Sequence, residues 1–186
     1  TRFKCDWSSD VCSSDLLIGS TAPRALPSTS FGNGALAAGC VGNRHAIALG
    51  ANNQVYAAGA NAFGQLGLSG SATGAVPNYA VDQTVPTFTA VDTLGVAIAA
   101  VACGAQHTLA VSTVGGVYAA GQLTYGQLGF SGGSNNAQTS FTGVSVPGLN
   151  AGEAVKSVAA GDTSSFFVTS AGRVFACGQH FGATYD

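Results

Sequence analysis

The sequence predicts an all-β chain, an incomplete β-propeller of four-stranded blades, and three observations predict it. A segment recurs along the chain, each copy reads as strand, turn, strand, and glycine is too frequent for long helices. Residues 42–70, GNRHAIALGANNQVYAAGANAFGQLGLSG, align without a gap on residues 104–132, GAQHTLAVSTVGGVYAAGQLTYGQLGFSG, with 14 of 29 positions identical at an offset of 62. A third copy, GDTSSFFVTSAGRVFACGQHFG (161–182), follows at an offset of 57 and is incomplete. Copies at this period belong to solenoids, propellers or arrays. Helical solenoids drop out, because 27 glycines are spread along 186 residues and each one inside a helix costs about 1 kcal/mol relative to alanine.

The elements follow in order. His45–Leu49 and His107–Val111 are short apolar runs that suit buried strands. GANN, STVGG and SAGR supply turn residues, and QVYAAG, GVYAAG and RVFACG are the return strands, so every copy opens with a hairpin. The spacers carry proline and further β-branched alternation, with room for two more strands per repeat. Four short strands at this period make one propeller blade. The division expected is a linker or remnant of a preceding blade at 17–36, repeat 1 at 37–99, repeat 2 at 100–157 and a partial repeat 3 at 158–186.

Residues 1–16, TRFKCDWSSDVCSSDL, differ in kind from the rest, holding the only tryptophan and two of the five cysteines. The string resembles translated sequencing-adapter read-through at the ends of assembled environmental genes. The alternative is a genuine polar arm in which Cys5 and Cys12 close a small loop. On the first reading the packed structure begins near Phe31 and Trp7 stays out of the repeat core.

Composition excludes several functions. Charged residues make up 8% of the chain, against about a quarter in ordinary domains, and the net charge is −2. That leaves no basic footprint for a phosphate backbone or anionic lipid. The longest apolar stretch, Leu94 to Ala105, is broken by glycine and falls short of the roughly 18 residues a membrane span needs. Cysteines at 5, 12, 40, 103 and 177 form no CxxC pair and leave one odd thiol, which suggests neither a zinc ribbon nor a complete disulfide framework. Cys103 and Cys177 stand where other copies have small residues, and read as buried small hydrophobes. Carboxylates beyond residue 16 are few, and the glycine-rich stretches lack both a following Lys-Ser/Thr and a βαβ context. No catalytic residue, cofactor or metal is expected.

In register, each full copy contains a Gly-x-x-His start, an aromatic and small-residue strand ending in glycine, and a Gly-Gln-Leu-Gly close. In the first these are Gly42 and His45, then Val55 to Gly59, then Gly64, Gln65, Leu66 and Gly67; in the second, Gly104 and His107, then Val117 to Gly121, then Gly126, Gln127, Leu128 and Gly129. The third keeps Gly161 and Gly178 but has Ser164 in place of histidine and Ala183 in place of glutamine. This set resembles the regulator of chromosome condensation repeat family. The resemblance implies a closed propeller, usually of seven blades, of which this chain holds two repeats and part of a third.

All these residues read as structural. Gly59, Gly121 and Gly178 end strands where a positive φ or close backbone approach is expected, and Leu66 and Leu128 read as apolar plugs between blades. His45 and His107 recur once per repeat instead of converging on one point, so a hydrogen-bonded structural role is expected over metal ligation, with a backbone partner for His45 in its own blade. His180 falls out of register.

Three functions follow from the resemblance. The leading one is a non-catalytic protein-interaction scaffold whose insertions, LSGSATGAVPNYAVDQ and FSGGSNNAQTS, contact a protein partner. The second is a guanine-nucleotide exchange factor for a small GTPase, the activity of the founding member. The third is a secreted microbial inhibitor or surface propeller, which the low charge and the Ala, Gly, Ser and Thr bias suit. Ultraviolet sensing by clustered tryptophans is excluded, since the only tryptophan is Trp7. Compartment stays open, and the chain is expected to associate when separated from the missing blades of its own propeller.

Overall fold

The computed structural model describes residues 31, 34–68, 84–130 and 137–179. Eleven strands lie within them: β1 (Leu36–Val41), β2 (His45–Gly50), β3 (Val55–Ala60), β4 (Thr84–Ala90), β5 (Ile98–Cys103), β6 (His107–Ser112), β7 (Val117–Gln122), β8 (Ala137–Val144), β9 (Val155–Ala160), β10 (Ser164–Thr169) and β11 (Val174–Gly178). They form antiparallel sheets in the orders β1-β2-β3-β4, β5-β6-β7-β8 and β9-β10-β11, referred to below as blades 1, 2 and 3. The chain is all-β, a partial propeller.

Neighbouring blades pack face to face, with β1 and β2 against β5, and β5 and β6 against β9. A central strand covered on both faces has no side to give to water. For that reason β6 is buried at all six positions, and its sequence, HTLAVS, is a run instead of an alternation. β10 occupies the equivalent place in blade 3, and its burial alternates residue by residue.

The hydrophobic core therefore lies between sheets. Ile47, Leu49, Val55 and Leu66 of blade 1 meet Ile98, Ala110 and Ala120 of blade 2. Leu109, Val111 and Leu128 of blade 2 meet Val155 and Phe167 of blade 3. A third cluster covers part of the outer face of blade 1, where Phe31 packs on Ala48, Tyr56 and Phe88, edge-on to the Tyr56 ring at 5.6 Å. Phe31 is thus part of the packed structure. Residues 1–16, with Trp7, Cys5 and Cys12, lie outside the described residues, as do Ala183 and His180.

Two expected divisions move. The cut at 99/100 falls inside β5 and the cut at 157/158 inside β9. The breaks between blades are the links 91–97 and 145–154. The Gly-x-x-His motif marks the far end of each innermost strand, so counting from it misses the apolar residues, Ile98 and Val155, with which that strand begins. The second insertion also shortens, because Ala137 to Ser140 pair in β8. Residues 69–83 and 131–136 of the insertions lie outside the described residues.

Candidate functional site

Because successive strands run antiparallel, the links β1–β2 and β3–β4 emerge at one end of blade 1, and their equivalents do so in blade 2. His45 and His107 open β2 and β6 at this end, and each faces a glycine across the hairpin: His45 pairs with Gly59, His107 with Gly121, and Ser164 with Gly178 in blade 3. These glycines have φ of 110°, 117° and 117°. Next to Gly59 and Gly121 the ladder to the outer strand shifts register, an extra residue that bends the strand. A Cβ on Gly59 would stand 2.5 Å from the Arg44 carbonyl oxygen, so backbone shape and space both demand glycine.

His45 is buried, and its Nε2 lies 3.1 Å from Oγ1 of Thr108 in blade 2. The Thr108 hydroxyl donates at 2.6 Å to the carbonyl oxygen of Gln65, back in blade 1. The unit repeats at the next interface: His107 Nε2 lies 3.0 Å from Ser165 Oγ, which donates at 2.6 Å to the Gln127 carbonyl. A hydroxyl has one proton, and here the carbonyl takes it, so each histidine must be the donor of the other bond. Each imidazole therefore carries a proton on Nε2, and the Nδ1 atoms are buried without a hydrogen-bond partner. Burial pushes both pKa values down to about 4, helped in His107 by the neighbouring His45.

The carbonyls that accept these bonds are held by tight loops. Phe63 N donates to Gln65 Oε1 at 2.9 Å, and Tyr125 N to Gln127 Oε1 at 2.8 Å. Gly64, Gly67, Gly126 and Gly129 adopt left-handed φ of 65–77° in these loops. Leu66 and Leu128 are fully buried, each in the cluster shared with the following blade. Gly42 and Gly104 have ordinary φ; they leave room for the imidazole of their own motif and for the carbonyl of the next blade's glycine, Gly104 and Gly161 respectively. Backbone bonds cross the interfaces too, from Asn43 N to Ala105 O and from Ala105 N to Asp162 O, each 3.3 Å.

Two expectations are corrected here. The partner of His45 is a side chain of the next blade, because the ring projects from the sheet face and not along its own ladder. Cys103 is not a free small hydrophobe: it forms a disulfide with Cys40, since β1 and β5 lie side by side and bring the two Cα atoms to 5.5 Å. Cys177 is the free cysteine among the described residues, half-buried, with its thiol pushed up to about 11 by burial.

Thr108 and Ser165 are the residues that single-copy motif reading misses. The signal is present across copies, since the position after the motif histidine is Ala46, Thr108 and Ser165, with a hydroxyl in the two copies that follow a histidine-bearing one. Elsewhere, in the link to blade 3, Glu153 accepts from Thr169 Oγ1 and pairs with Arg173, whose Nη2 also donates to the Gly148 carbonyl at 2.7 Å. The bonds from Arg173, and after it Thr169, hold the Glu153 carboxyl down to about 2. Among the described residues no three His, Cys, Asp or Glu side chains gather in a way that could hold a metal ion, and no helix is long and apolar enough to cross a membrane.

Comparison with known proteins agrees with this geometry. The regulator of chromosome condensation (RCC1) repeat matches residues 52–111, and a second description of the same repeat matches 37–65, 98–127 and 155–181. The mouse X-linked retinitis pigmentosa GTPase regulator is 30% identical over 75% of this chain, which spans 12% of that protein. Among solved structures, human WBSCR16 superposes with a TM-score of 0.66 at 26% identity, over 78% of this chain and 33% of the other. Prp20p from Saccharomyces cerevisiae, studied for its binding to Gsp1p and histones, superposes with a TM-score of 0.58 at 24% identity, over 77% of this chain and 33% of the other. With its repeats matched in register and its blades built on the motif residues, the chain belongs to the regulator of chromosome condensation (RCC1) repeat family.

Proposed function

We propose that this chain is a non-catalytic, protein-binding segment of a larger propeller, and that the partner docks at the end where His45 and His107 lie. One observation carries the reading: the repeat's polar hallmarks are buried in bonds between blades, which leaves recognition to the exposed links. At that end Tyr125 is 45% exposed at the tip of the β7–β8 link, and Phe63 stands at the equivalent tip in blade 1, with Arg44 and Asp162 exposed beside the innermost strands. An exposed tyrosine, with an arginine presented at the same end of the sheets, supplies residue types that anchor interfaces. With a net charge of −2, the segment offers nucleic acid little attraction.

Relatives named as GTPase regulators, and the binding of Gsp1p by Prp20p, make a small GTPase the first partner to test. The experiment measures binding of purified small GTPases to the protein and to its Tyr125→Ala and Arg44→Ala variants, together with the rate of nucleotide release. Binding that weakens at least tenfold in Tyr125→Ala with release unchanged supports the scaffold reading. Accelerated release moves the reading to an exchange factor, and binding indifferent to both substitutions removes this end as the docking face. The secreted inhibitor or surface propeller remains as a second reading, favoured by the Cys40–Cys103 disulfide.

A further inference from the structure

Cys40 and Cys103 do not occupy equivalent places in the repeat. At an offset of 62 Cys40 corresponds to Ala102, and at an offset of 57 Cys103 corresponds to Ala160. The bond therefore belongs to the interface between blades 1 and 2 alone, and the next interface has alanines at both positions. Two features argue that it is a working cross-link. The neighbouring innermost strands β1 and β5, which belong to different sheets, hold the Cα atoms 5.5 Å apart, in the middle of the range that two cysteines bridge without backbone movement. Both sulfurs are half-buried against the interface core formed by Ile47, Ile98 and their neighbours, while Cys103 also lines an open cleft with Gly42, Asn43, Gly104 and Asp162.

We propose that Cys40–Cys103 is a covalent lock on the interface between blades 1 and 2, made by thiol–disulfide exchange in an oxidising compartment where the protein works. This goes beyond the protein-binding reading, does not rest on it, and favours the secreted or surface propeller over the small-GTPase partner. The oxidant is a disulfide donor of the glutathione or thiol-oxidase class. The thiolate of one cysteine attacks the donor disulfide, forming a mixed disulfide and releasing one donor thiol. The second cysteine's thiolate then attacks the protein sulfur of that mixed disulfide, closing Cys40–Cys103 and releasing the second donor thiol. Two protein thiols are oxidised, one donor disulfide is reduced to two thiols, and the two protons given up by the cysteines are taken up by the departing donor thiolates. Cys177, its thiol raised by burial in blade 3, competes poorly as an attacking group. Bonds of this kind persist in secreted and surface proteins and are rare where glutathione keeps thiols reduced.

The test uses the full chain, refolded in a glutathione redox buffer, blocked with N-ethylmaleimide and digested without reduction. A peptide linking Cys40 to Cys103 is the expected product, and maleimide on both cysteines of the folded protein overturns the proposal. The double variant Cys40→Ala/Cys103→Ala copies the natural Ala102/Ala160 pair of the next interface, so its packing has a precedent in this chain. Closing a loop of this length predicts a thermal midpoint roughly 10 °C higher for the oxidised wild type than for the variant. Reductant is expected to bring the wild type down to the variant and to leave the variant unmoved. A linked peptide with a midpoint insensitive to reductant overturns the lock.

Discussion

His45 of blade 1 hydrogen-bonds Thr108 of blade 2 at 3.1 Å, and Thr108 returns the bond to blade 1 through the Gln65 carbonyl at 2.6 Å. One hydroxyl thus ties two elements of the preceding blade, and His107, Ser165 and Gln127 repeat the arrangement one blade on.

Thr108→Val keeps the shape of the side chain and removes the hydroxyl, leaving the His45 N–H and the Gln65 carbonyl unpaired in a buried seam. The expected loss is about 1–3 kcal/mol in urea unfolding. In a double-mutant cycle with His45→Ala the two losses should not add, because both delete the same bond. Additive losses would show that the pair is not coupled.

Protonation should act on the same seam. In the unfolded chain a histidine titrates near 6.5, whereas His45 and His107 titrate near 4 in the fold. Between those values the unfolded state binds more protons, so stability is full above pH 6.5, falls as pH drops and levels off below about 4. The ceiling is roughly 3 kcal/mol per histidine. Unfolding free energies measured from pH 7.5 to 4 check the slope, and His107→Gln should flatten it.

Gly59 and Gly126 separate two reasons for glycine. A Cβ on Gly126 meets nothing within 4 Å, so Gly126→Ala should cost only the left-handed backbone, about 1–2 kcal/mol. On Gly59 the Cβ would also strike the Arg44 carbonyl at 2.5 Å, and Gly59→Ala should cost clearly more. Equal losses in chemical denaturation would remove the steric part of this account.

Leu66→Ala and Leu128→Ala each empty a fully buried site between blades, and each should cost about 2–5 kcal/mol. Amide exchange would place the damage: faster exchange in β5 and β6 after Leu66→Ala, and in β9 and β10 after Leu128→Ala.

The carboxyl of Glu153 is held near 2 by Arg173 and Thr169. Its contribution is present above the unfolded value of about 4.5 and lost as pH falls toward 2. A carboxyl NMR titration should give a midpoint near 2 for Glu153, returning toward the ordinary range in Arg173→Ala. An unchanged midpoint would mean the ion pair does not hold the charge.

The fold class, the hairpin of each repeat and the motif glycines were legible in the residues alone, because these depend on local backbone shape and on a pattern that recurs in register. Gly59 and Gly121 needed only a strand end and a tight approach to be legible. The features that became visible only with the packed fold lie between blades. The blades break before Ile98 and Val155, upstream of the motif. His45 meets Thr108, 63 residues away, and Cys40 meets Cys103, also 63 residues away. A propeller brings residues together one repeat apart, across sheet faces, and no local periodicity states which side chain of one copy faces which of the next. That pairing is set by how closely alanine-lined sheets stack and by the register in which they do so.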